Sequence, residues 1–398
     1  MASVVVVAPR AHADERCSLA ERALLCPDAN PACPAGAGPA ASAWPLFQHD
    51  PQHTGRSDLV GPSCNRVVWR WSATDEFLSA PTIGADGDVL VGTARAPVCA
   101  IDPATGTTRW CDTDQEGRLA DRSSPAVAAT GTVYVGTRDN DLWAIAPQPS
   151  PPAQVLWRQK VCTDGDVTTS PTIGPDGVVY MGSDSLGAGW MFAMCPGAAR
   201  QVKWCAKLGG GVKNVSPALS PDGATLYVTS RGTTLHALDA ATGAERWQRV
   251  LERRRNAARW PNYTPVVDPA SGRIYVGFDD GLFEVTPDGD TRLLFTPGRE
   301  RIESPPALGP DGTLYVGASR GGISSTFYAV RPDGTVRWSY AIPRGPGRFR
   351  NNQAVIDAAG TVYVAVKSSV YAFTPEGDGQ GNGVVRWRFD EATSVYQS

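Results

Sequence analysis

The sequence contains few of the groups that enzymes and metal sites most often use, and it contains no long apolar run. Only four histidines occur in 398 residues, which leaves little material for a histidine-based triad or a zinc site. No apolar run approaches the roughly 18 residues of a membrane-spanning helix, so no transmembrane segment is expected. The formal net charge of −3 gives no reason to expect a nucleic-acid partner.

Cysteine, by contrast, is plentiful. Nine cysteines are many for a cytosolic protein, because disulfides persist in oxidising compartments. Residues 1–15 carry a short apolar run and a small-x-small site at Ala11-His12-Ala13, without a basic start. We interpret residues 1–43 as an export-signal remnant with a Cys/Pro/Ala-rich tether, and residues 44–398 as the folded domain. The protein is therefore expected to be periplasmic, cell-surface or secreted.

The rest of the chain repeats one unit of four short, alternating apolar segments separated by turn residues. The clearest copy runs from Ser79 to Trp110, with turns at Asp86-Gly87 and around Gly106. Counted by their closing aromatic residues, with Trp69 ahead of the first full unit, the copies are 41 to 49 residues apart. These closing residues are Trp110, Trp157, Trp204, Trp247, Phe295, Trp338 and Trp387.

A period of 40–50 residues with four strands per unit is typical of β-propeller blades. A four-stranded sheet buries both of its faces only when it is stacked between neighbours, and closure of a ring removes the end faces. The sequence predicts an all-β propeller of seven four-stranded blades. Val67–Trp71 supplies a further closing strand, so an eight-bladed ring completed by a longer chain is the alternative.

The pattern Asp-x-x-Thr-Gly-x-x-x-Trp, at 102–110 and again at 239–247, resembles the repeat of PQQ-like (quinoprotein-like) β-propellers. The lead-in WPLFQHDPQHTGRS is similar to segments that begin such domains. The resemblance covers about residues 44–390. It implies that the tryptophan of each blade packs against the neighbouring blade.

The resemblance implies two classes of function. Quinone-dependent dehydrogenases of this kind use a pair of adjacent cysteines, calcium ligands and large insertions between blades. Here no two cysteines are adjacent and the units stay short. The interpretation is therefore a non-enzymatic scaffold that is a monomer and binds a protein or an anionic polymer, with no cofactor. A PQQ- and calcium-dependent dehydrogenase is the alternative.

Basic residues concentrate in the connections that follow the fourth, fifth and sixth units. In such propellers these connections gather on one face around the channel, where a cluster of cations could bind an anionic partner. The alternative is an ordinary solvated basic surface. The candidate contact residues are Arg253, Arg254, Arg255, Arg259, Trp260, Arg299, Arg301, Arg344, Arg348 and Arg350, with Phe349 as a further aromatic contact.

Two smaller predictions concern cysteine and histidine. Cys195 and Cys205 flank a short turn within one unit and are the candidate disulfide, whereas Cys99 and Cys111 lie in similar places in the first unit but in a different register. Cys111 and Cys162, which close adjacent units, are an alternative pair. The spacing of His49 and His53 suggests a metal site, but the intervening Pro51 disfavours a helix that would present both. We therefore expect no metal there.

Overall fold

In the computed structural model, seven antiparallel sheets contain all of the strands, and each sheet follows the order of the chain. The predicted all-β, seven-bladed propeller is therefore confirmed. No α-helix occurs in the described ranges, and so none of them contains a helix suited to crossing a bilayer. The structure describes residues 32–34, 36–72, 79–93, 96–112, 123–137, 141–146, 154–160, 167, 169–184, 189–196, 201–251, 264–321, 323–343, 349, 352–366 and 369–390.

Each blade has four strands, termed first to fourth here, and the first strands of successive blades approach each other at the centre. Blades 1 and 2 are formed by β1 (Thr82–Ile83), β2 (Val89–Val91), β3 (Cys99–Ile101), β4 (Thr108–Cys111), β5 (Ala126–Val127), β6 (Val133–Gly136), β7 (Asp141–Ala146) and β8 (Gln154–Lys160). Blades 3 and 4 are formed by β9 (Thr172–Ile173), β10 (Val179–Asp184), β11 (Gly189–Met194), β12 (Val202–Leu208), β13 (Ala218–Leu219), β14 (Thr225–Ser230), β15 (Thr234–Asp239) and β16 (Glu245–Val250).

The sixth sheet has one additional short strand, β21 (Arg301–Ile302), which pairs with the second strand of its blade beside the first. Blades 5 to 7 are formed by β17 (Val266–Val267), β18 (Ile274–Phe278), β19 (Gly281–Val285), β20 (Thr291–Phe295), β21 (Arg301–Ile302), β22 (Ala307–Leu308), β23 (Leu314–Arg320), β24 (Ser324–Val330), β25 (Val336–Ala341), β26 (Val355–Ile356), β27 (Val362–Val366), β28 (Ser369–Phe373) and β29 (Val385–Asp390).

Local turn chemistry fixes the ends of these strands. Between β3 and β4, the Asp102 carboxylate accepts hydrogen bonds from the N–H groups of Ala104 and Thr105 at 2.8 and 3.1 Å. Gly106 follows with a φ of 70°, a conformation that favours glycine. A β-bulge then separates Ala100, opposite Trp110, from the next pair in the ladder. The Asp-x-x-Thr-Gly pattern thus sets the register that presents the tryptophan.

The hydrophobic core lies between the blades. Tyr180 and Trp204 of blade 3 pack against Leu219 and Leu226 of blade 4, because alternate residues of a strand face opposite sides of the sheet. Equivalent buried clusters join blades 1 and 2, 2 and 3, 4 and 5, 5 and 6, and 6 and 7. The alternating apolar pattern therefore builds each interface from two neighbouring repeats.

Hydroxyl groups that precede the first strands also link neighbouring blades. The N–H of Ser124 donates to Ser170 Oγ at 2.9 Å, and the N–H of Ser170 donates to Ser216 Oγ at 3.2 Å. Ala80 and Ser216 make the same contact to the hydroxyls of Ser124 and Thr264. The small polar residue at this position thus satisfies a buried N–H of the preceding blade.

Residues 44–59, termed the axial plug, fill the centre of the ring at the end where first strands turn into second strands. Their carbonyl groups accept hydrogen bonds from the first strands of six blades, and His53 contacts Thr172 of blade 3. The backbone pairs are Ile83–Trp44, Val127–Pro45, Leu219–Pro51, Val267–Gln52, Leu308–Thr54 and Ile356–Gly55, at 2.7 to 2.9 Å. One short segment therefore ties all seven blades together.

Residues 61–71, termed the strap, connect blade 7 to blade 1. The carbonyl of Pro62 accepts a hydrogen bond from Trp387 Nε1 of blade 7 at 3.1 Å. Trp69 Nε1 donates to the carbonyl of Pro103 in blade 1 at 2.7 Å. The strand predicted at Val67–Trp71 does not form, because no neighbouring strand is described beside it, but Trp69 still makes the contact expected of a closing tryptophan.

The closing residue assigned to blade 5 was wrong. In the other six blades the closing tryptophan lies opposite an alanine, as Trp247 lies opposite Ala237. The corresponding pair in blade 5 is Arg292 opposite Glu284, whereas Phe295 lies opposite Leu282, beyond the bulge. Because the blades were located by their closing aromatic residues, the sequence-based prediction missed that blade 5 has a glutamate–arginine pair in place of the alanine–tryptophan pair.

The candidate disulfide was also wrong. Cys195 is bonded to Cys33, and Cys99 is bonded to Cys111. Cys99 lies directly opposite Cys111 in the ladder, with 4.0 Å between their Cα atoms. Cys205, in contrast, lies opposite Phe192, three residues before Cys195. The register of blade 3 therefore separates Cys195 from Cys205, whereas the register of blade 1 brings Cys99 and Cys111 together.

Candidate functional site

The predicted basic contact surface is only partly described. Arg299 and Arg301 lie on the connection between blades 5 and 6, and both are exposed. The other members of that set lie outside the described residues: Arg253, Arg254, Arg255, Arg259, Trp260, Arg344, Arg348 and Arg350.

The connection that carries these two arginines is held against blade 6. The Glu300 carboxylate accepts hydrogen bonds from Ser324 Oγ, Thr326 Oγ1 and the Tyr328 hydroxyl at 2.6, 3.1 and 3.2 Å. Strand β21 adds two residue pairs with β23. Because Glu300 is fixed in this way, the residues on either side of it project from a defined position.

Arg301 is already paired with an acid. Its Nη1 lies 3.0 Å from Asp279 Oδ2, and its side chain is 63% exposed, while that of Asp279 is 12% exposed. An exposed pair of this kind contributes about 0–1 kcal/mol. Arg301 therefore orients towards blade 5, and Arg299 is exposed two residues before it.

Phe349 is not a contact residue, contrary to the sequence-based interpretation. It is fully buried and stacks on Phe327 with ring centroids 5.9 Å apart. A Cβ atom on Gly317 would lie 2.2 Å from the Phe349 ring, so the glycine makes room for it. Phe349 belongs to the core between blades 6 and 7.

The two histidines of the axial plug have separate structural contacts. His53 is fully buried; its Nε2 lies 3.3 Å from Thr172 Oγ1, and Phe47 packs edge-on against its ring. His49 Nδ1 lies 3.4 Å from Asp50 Oδ2 instead. No group of three or more histidine, cysteine or acidic residues with metal-binding geometry occurs in the described ranges.

Burial controls the protonation of the axial plug. Burial lowers the pKa of His53 to about 4, against a smaller opposing effect of Asp50. Burial would raise the pKa of Asp50, but hydrogen bonds from His49 and Thr54 outweigh it and hold that pKa below its ordinary value. At neutral pH the plug therefore contains a neutral His53 and an ionised Asp50, which caps Thr54 through both its N–H and its hydroxyl.

His236 is likewise structural. Its Nε2 lies 2.8 Å from Ser230 Oγ and its Nδ1 2.6 Å from Glu245 Oε1. Burial lowers the pKa of His236, and the neighbouring carboxylate opposes this shift. With both ring nitrogens engaged inside blade 4, His236 has no atom left to act on a ligand.

Comparison with known proteins identifies a family with this arrangement. The family model described as "Outer membrane protein assembly factor BamB" matches residues 34–213 and 154–395. Similar curated proteins of that name come from Moranella endobia, at 24% identity over 59% of this chain, and Yersinia pestis, at 27% over 55%. The chain spans 60% and 55% of the lengths of these two relatives.

Solved structures with a similar fold include quinoprotein enzymes. The quinohemoprotein alcohol dehydrogenase ADHIIG from Pseudomonas putida HK5 matches with a TM-score of 0.69 and 12% identity over 89% of this chain and 73% of that one. The enzyme from Comamonas testosteroni matches with a TM-score of 0.68 and 15% identity over 89% and 74%. At such identities the likeness shows the fold alone.

Proposed function

The chain belongs to this family of BamB-like PQQ-repeat propellers, and on that premise we propose that it is a non-enzymatic binding scaffold of the bacterial cell envelope or secreted space. By analogy with the two relatives named as outer membrane protein assembly factors, its role is to hold a partner during assembly of the envelope. The partner is a protein or an anionic polymer, and the propeller acts as a monomer without a cofactor.

The observation that carries the proposal is the axial plug. Its carbonyl groups bind the first strands of six blades, and Asp50 and His53 serve its own structure. The described part of the axis is therefore filled with protein that rigidifies the ring. A rigid ring that holds its connections in fixed positions is what a binding scaffold requires.

The disulfides support the proposed compartment. The bond from Cys33 to Cys195 closes a loop of 162 residues, and the bond from Cys99 to Cys111 joins two strands of blade 1. Such bonds persist outside the reducing cytoplasm. They support an extracytoplasmic location, where the relatives' named role in outer membrane assembly also belongs.

The described first strands offer pyrroloquinoline quinone no cationic partner. The quinone carries three carboxylates, which need cationic partners, yet the first strands of the seven blades contain no lysine or arginine. The adjacent cysteines implied by the enzymatic relatives are also missing from the sequence. Both observations favour the scaffold over a quinone-dependent dehydrogenase.

Two measurements test the proposal. Titration of the purified protein with the quinone and calcium is expected to give no saturable absorbance change and no dye-linked alcohol oxidation; stoichiometric binding with turnover would overturn the scaffold assignment. A photo-crosslinking amino acid at Arg299 or Arg301 in the native host is expected to yield one discrete adduct. The matched control is exposed Thr130, on the turn between β5 and β6.

The crosslinking result has two other outcomes. Equal adducts at Thr130 and at Arg299 would mean that the contact is not specific to the basic surface. No adduct at any of the three positions, together with no retention on a heparin column at low salt, would contradict both a protein and a polyanion as the partner of this surface.

A further inference from the structure

Blade 6 has the longest hairpin between a second and a third strand in the described ranges. Its strands β23 and β24 share seven residue pairs, whereas the equivalent ladders of the other six blades share three to six. On one side the ladder with β21 reaches only Ser319, opposite Arg301, and on the other side the Ile342 N–H donates to the carbonyl of Ser325 at 2.9 Å. Residues 320–324, termed the blade 6 tip, therefore extend past the described strands on both sides.

Hydrogen bonds hold the base of this hairpin on both of its faces. The Glu300 carboxylate, on the connection from blade 5, accepts a hydrogen bond from the Ser324 hydroxyl on one face. On the opposite face the Ser325 hydroxyl donates to Ser319 Oγ at 3.3 Å, and both of these serines are buried, as expected from the alternation of side chains along a strand. The blade 6 tip is thus presented in a defined position, which lowers the entropy cost of binding a partner.

The blade 6 tip exposes a large apolar side chain. Ile323 is 72% exposed, and its N–H donates to the carbonyl of Arg320 at 2.7 Å, which closes the turn. In the shorter hairpin of blade 5, by contrast, the apolar residue at the end of the second strand, Phe278, is fully buried. Isolated exposed apolar residues are common on protein surfaces, so the meaning of Ile323 depends on the charged groups beside it.

Two arginines border Ile323. Arg320 begins the blade 6 tip, and Arg299 precedes Glu300, whose carboxylate binds the residue after Ile323. Both arginines are exposed, and neither side chain forms an ion pair or a hydrogen bond with a residue that the structure describes. Glu300 directs both of its carboxylate oxygens to hydroxyl groups of the hairpin instead. The two guanidinium groups therefore remain available to carboxylates outside the chain.

Charged residues in the equivalent turns of blades 4 and 5 serve the ring itself. Arg231, in the turn between β14 and β15, lies 2.6 Å from the buried carboxylate of Asp184 in blade 3 and so links two blades. Asp279, in the turn between β18 and β19, pairs with Arg301 of the connection to blade 6 at 3.0 Å. The arginine and the isoleucine of the blade 6 tip, in contrast, face solvent. This turn is therefore the one of the three whose side chains suit a contact outside the ring.

The combination of charge and apolar surface restricts the class of partner. An anionic polymer supplies negative charge but no large apolar side chain, so it would gain nothing from Ile323. A protein segment can supply both, since an apolar side chain packed against Ile323 excludes water from the neighbouring ion pairs. The exposed isoleucine beside two unpaired arginines therefore favours an acidic segment of a protein over a polyanion.

We infer that the blade 6 tip docks an extended segment of a partner protein in which a large apolar side chain is flanked by acidic residues. The apolar side chain packs on Ile323, and the carboxylates pair with Arg299 and Arg320. This inference rests on the proposed function as a scaffold, and it adds the place of the contact and the chemistry of the partner.

The test compares the binding of two fluorescein-labelled peptides of equal length and charge to the whole protein. One peptide carries two leucines flanked on each side by two aspartates, and the other carries two serines in place of the leucines. Binding is measured by fluorescence anisotropy at low salt, where exposed ion pairs are least screened. We expect saturable binding of the leucine peptide, with an affinity about tenfold above that of the serine peptide.

Matched variants locate the binding. Ile323→Ser should lower the affinity for the leucine peptide to that for the serine peptide, and Arg299→Gln with Arg320→Gln should weaken the binding of both peptides about tenfold. Val336→Ser, at a 40% exposed position of β25 in the same blade, and Arg66→Gln, at an exposed position in the strap, should leave both affinities unchanged. Since all of these side chains are exposed, every variant is expected to unfold thermally at the same midpoint as the native protein.

Two results would overturn the inference outright: no saturable binding of the leucine peptide, or equal losses of affinity in Val336→Ser and Ile323→Ser. Equal affinities of the two peptides would overturn it as well, because charge alone would then suffice and the surface would suit an anionic polymer. Failure here is distinguishable from failure of the scaffold role. A discrete photo-crosslinked adduct at Arg301 without peptide binding would keep the scaffold and reject only the docking chemistry assigned to the blade 6 tip.

Discussion

Arg292 Nη2 donates to the carbonyl oxygen of Pro332 at 3.1 Å and thereby makes the contact between blades that an indole N–H makes elsewhere. Trp247 Nε1 donates to Pro287 in the equivalent way, at 2.8 Å. Arg292 also lies 3.2 Å from the buried carboxylate of Glu284, which is opposite it in the ladder. At this interface a glutamate–arginine ion pair thus replaces the alanine–tryptophan pair of the other blades, and the interblade hydrogen bond is kept.

Because a glutamate–arginine pair takes the place of the alanine–tryptophan pair here, we expect the contributions of Glu284 and Arg292 to the free energy of unfolding to be strongly coupled. Glu284→Ala with Arg292→Trp restores the pair found in the other six blades. Arg292→Trp alone leaves the buried carboxylate with Arg273, at 2.7 Å, and the Tyr275 hydroxyl, at 3.5 Å. We expect the single change to lower the free energy of unfolding by about 2 kcal/mol, and the double variant to recover about 1–2 kcal/mol of this. Urea unfolding of the four proteins measures the coupling.

The comparison in blade 4 supplies the control. Ala237→Glu with Trp247→Arg introduces the blade 5 pair where Thr225 takes the place of Arg273, and where the nearby Arg246 already pairs with Asp239. This double variant in blade 4 should therefore lower the free energy of unfolding more than Glu284→Ala with Arg292→Trp does in blade 5. Additive single and double effects in blade 5 would show that the two side chains act independently.

The axial plug predicts a position-specific effect of adding one methyl group. Gly55 has a φ of 72°, and a Cβ there would lie 2.8 Å from the carbonyl oxygen of Ala354. Gly87 has a φ of 88° but no atom within 4 Å of the added Cβ. Gly87→Ala should cost about 1 kcal/mol from backbone strain alone, and Gly55→Ala about 3 kcal/mol because strain and overlap add. Equal losses of stability for Gly55→Ala and Gly87→Ala, measured by thermal or urea unfolding, would show that the axial plug shifts to accommodate the methyl group.

His53 predicts a loss of stability in mild acid. Its pKa is 6.5 in an ordinary environment and about 4 in the folded protein, so between these values the unfolded state binds a proton that the folded state does not. The stability from neutral His53 is fully present above about pH 6.5 and is lost as the pH falls towards 4, by about 3 kcal/mol in total.

The pH dependence is measured as the free energy of unfolding at pH 7.5, 6 and 5, for the native protein and for His53→Gln. The variant should be less stable at pH 7.5 and should show a shallower fall, since the remaining slope comes from other groups such as His236. Parallel curves for the two proteins would mean that His53 is not the responsible group.

The disulfide register predicts a defined peptide map. Digestion without reduction should yield Cys33 linked to Cys195 and Cys99 linked to Cys111. Cys64 is free and exposed in the described structure, so it should react with maleimide in the folded protein. Cys195→Ala should release the Cys33 thiol and leave the bond in blade 1 intact. A linkage between Cys195 and Cys205 would contradict the register of β11 and β12.

Several features of this fold were predictable from local sequence. Asp-Gly and Thr-Gly turns, two-residue alternation and the closing tryptophans predicted the blades, because turn geometry and side-chain direction depend on neighbours within a few residues. The glutamate in the segment Leu282-Phe283-Glu284 was an available signal for the altered pair in blade 5, since every other repeat has alanine there. Counting aromatic residues alone concealed it.

The sequence by itself determined the architecture: four alternating strands repeated seven times can bury their faces only by stacking in a ring. The tertiary structure alone decided which cysteines meet, that Phe349 is buried and that residues 44–59 fill the axis. These features depend on residues far apart in the chain. Cys33 and Cys195 are 162 residues apart, and Pro62 and Trp387 are 325 apart. No local pattern encodes such a pairing, because it arises only when the blades fix where each segment ends.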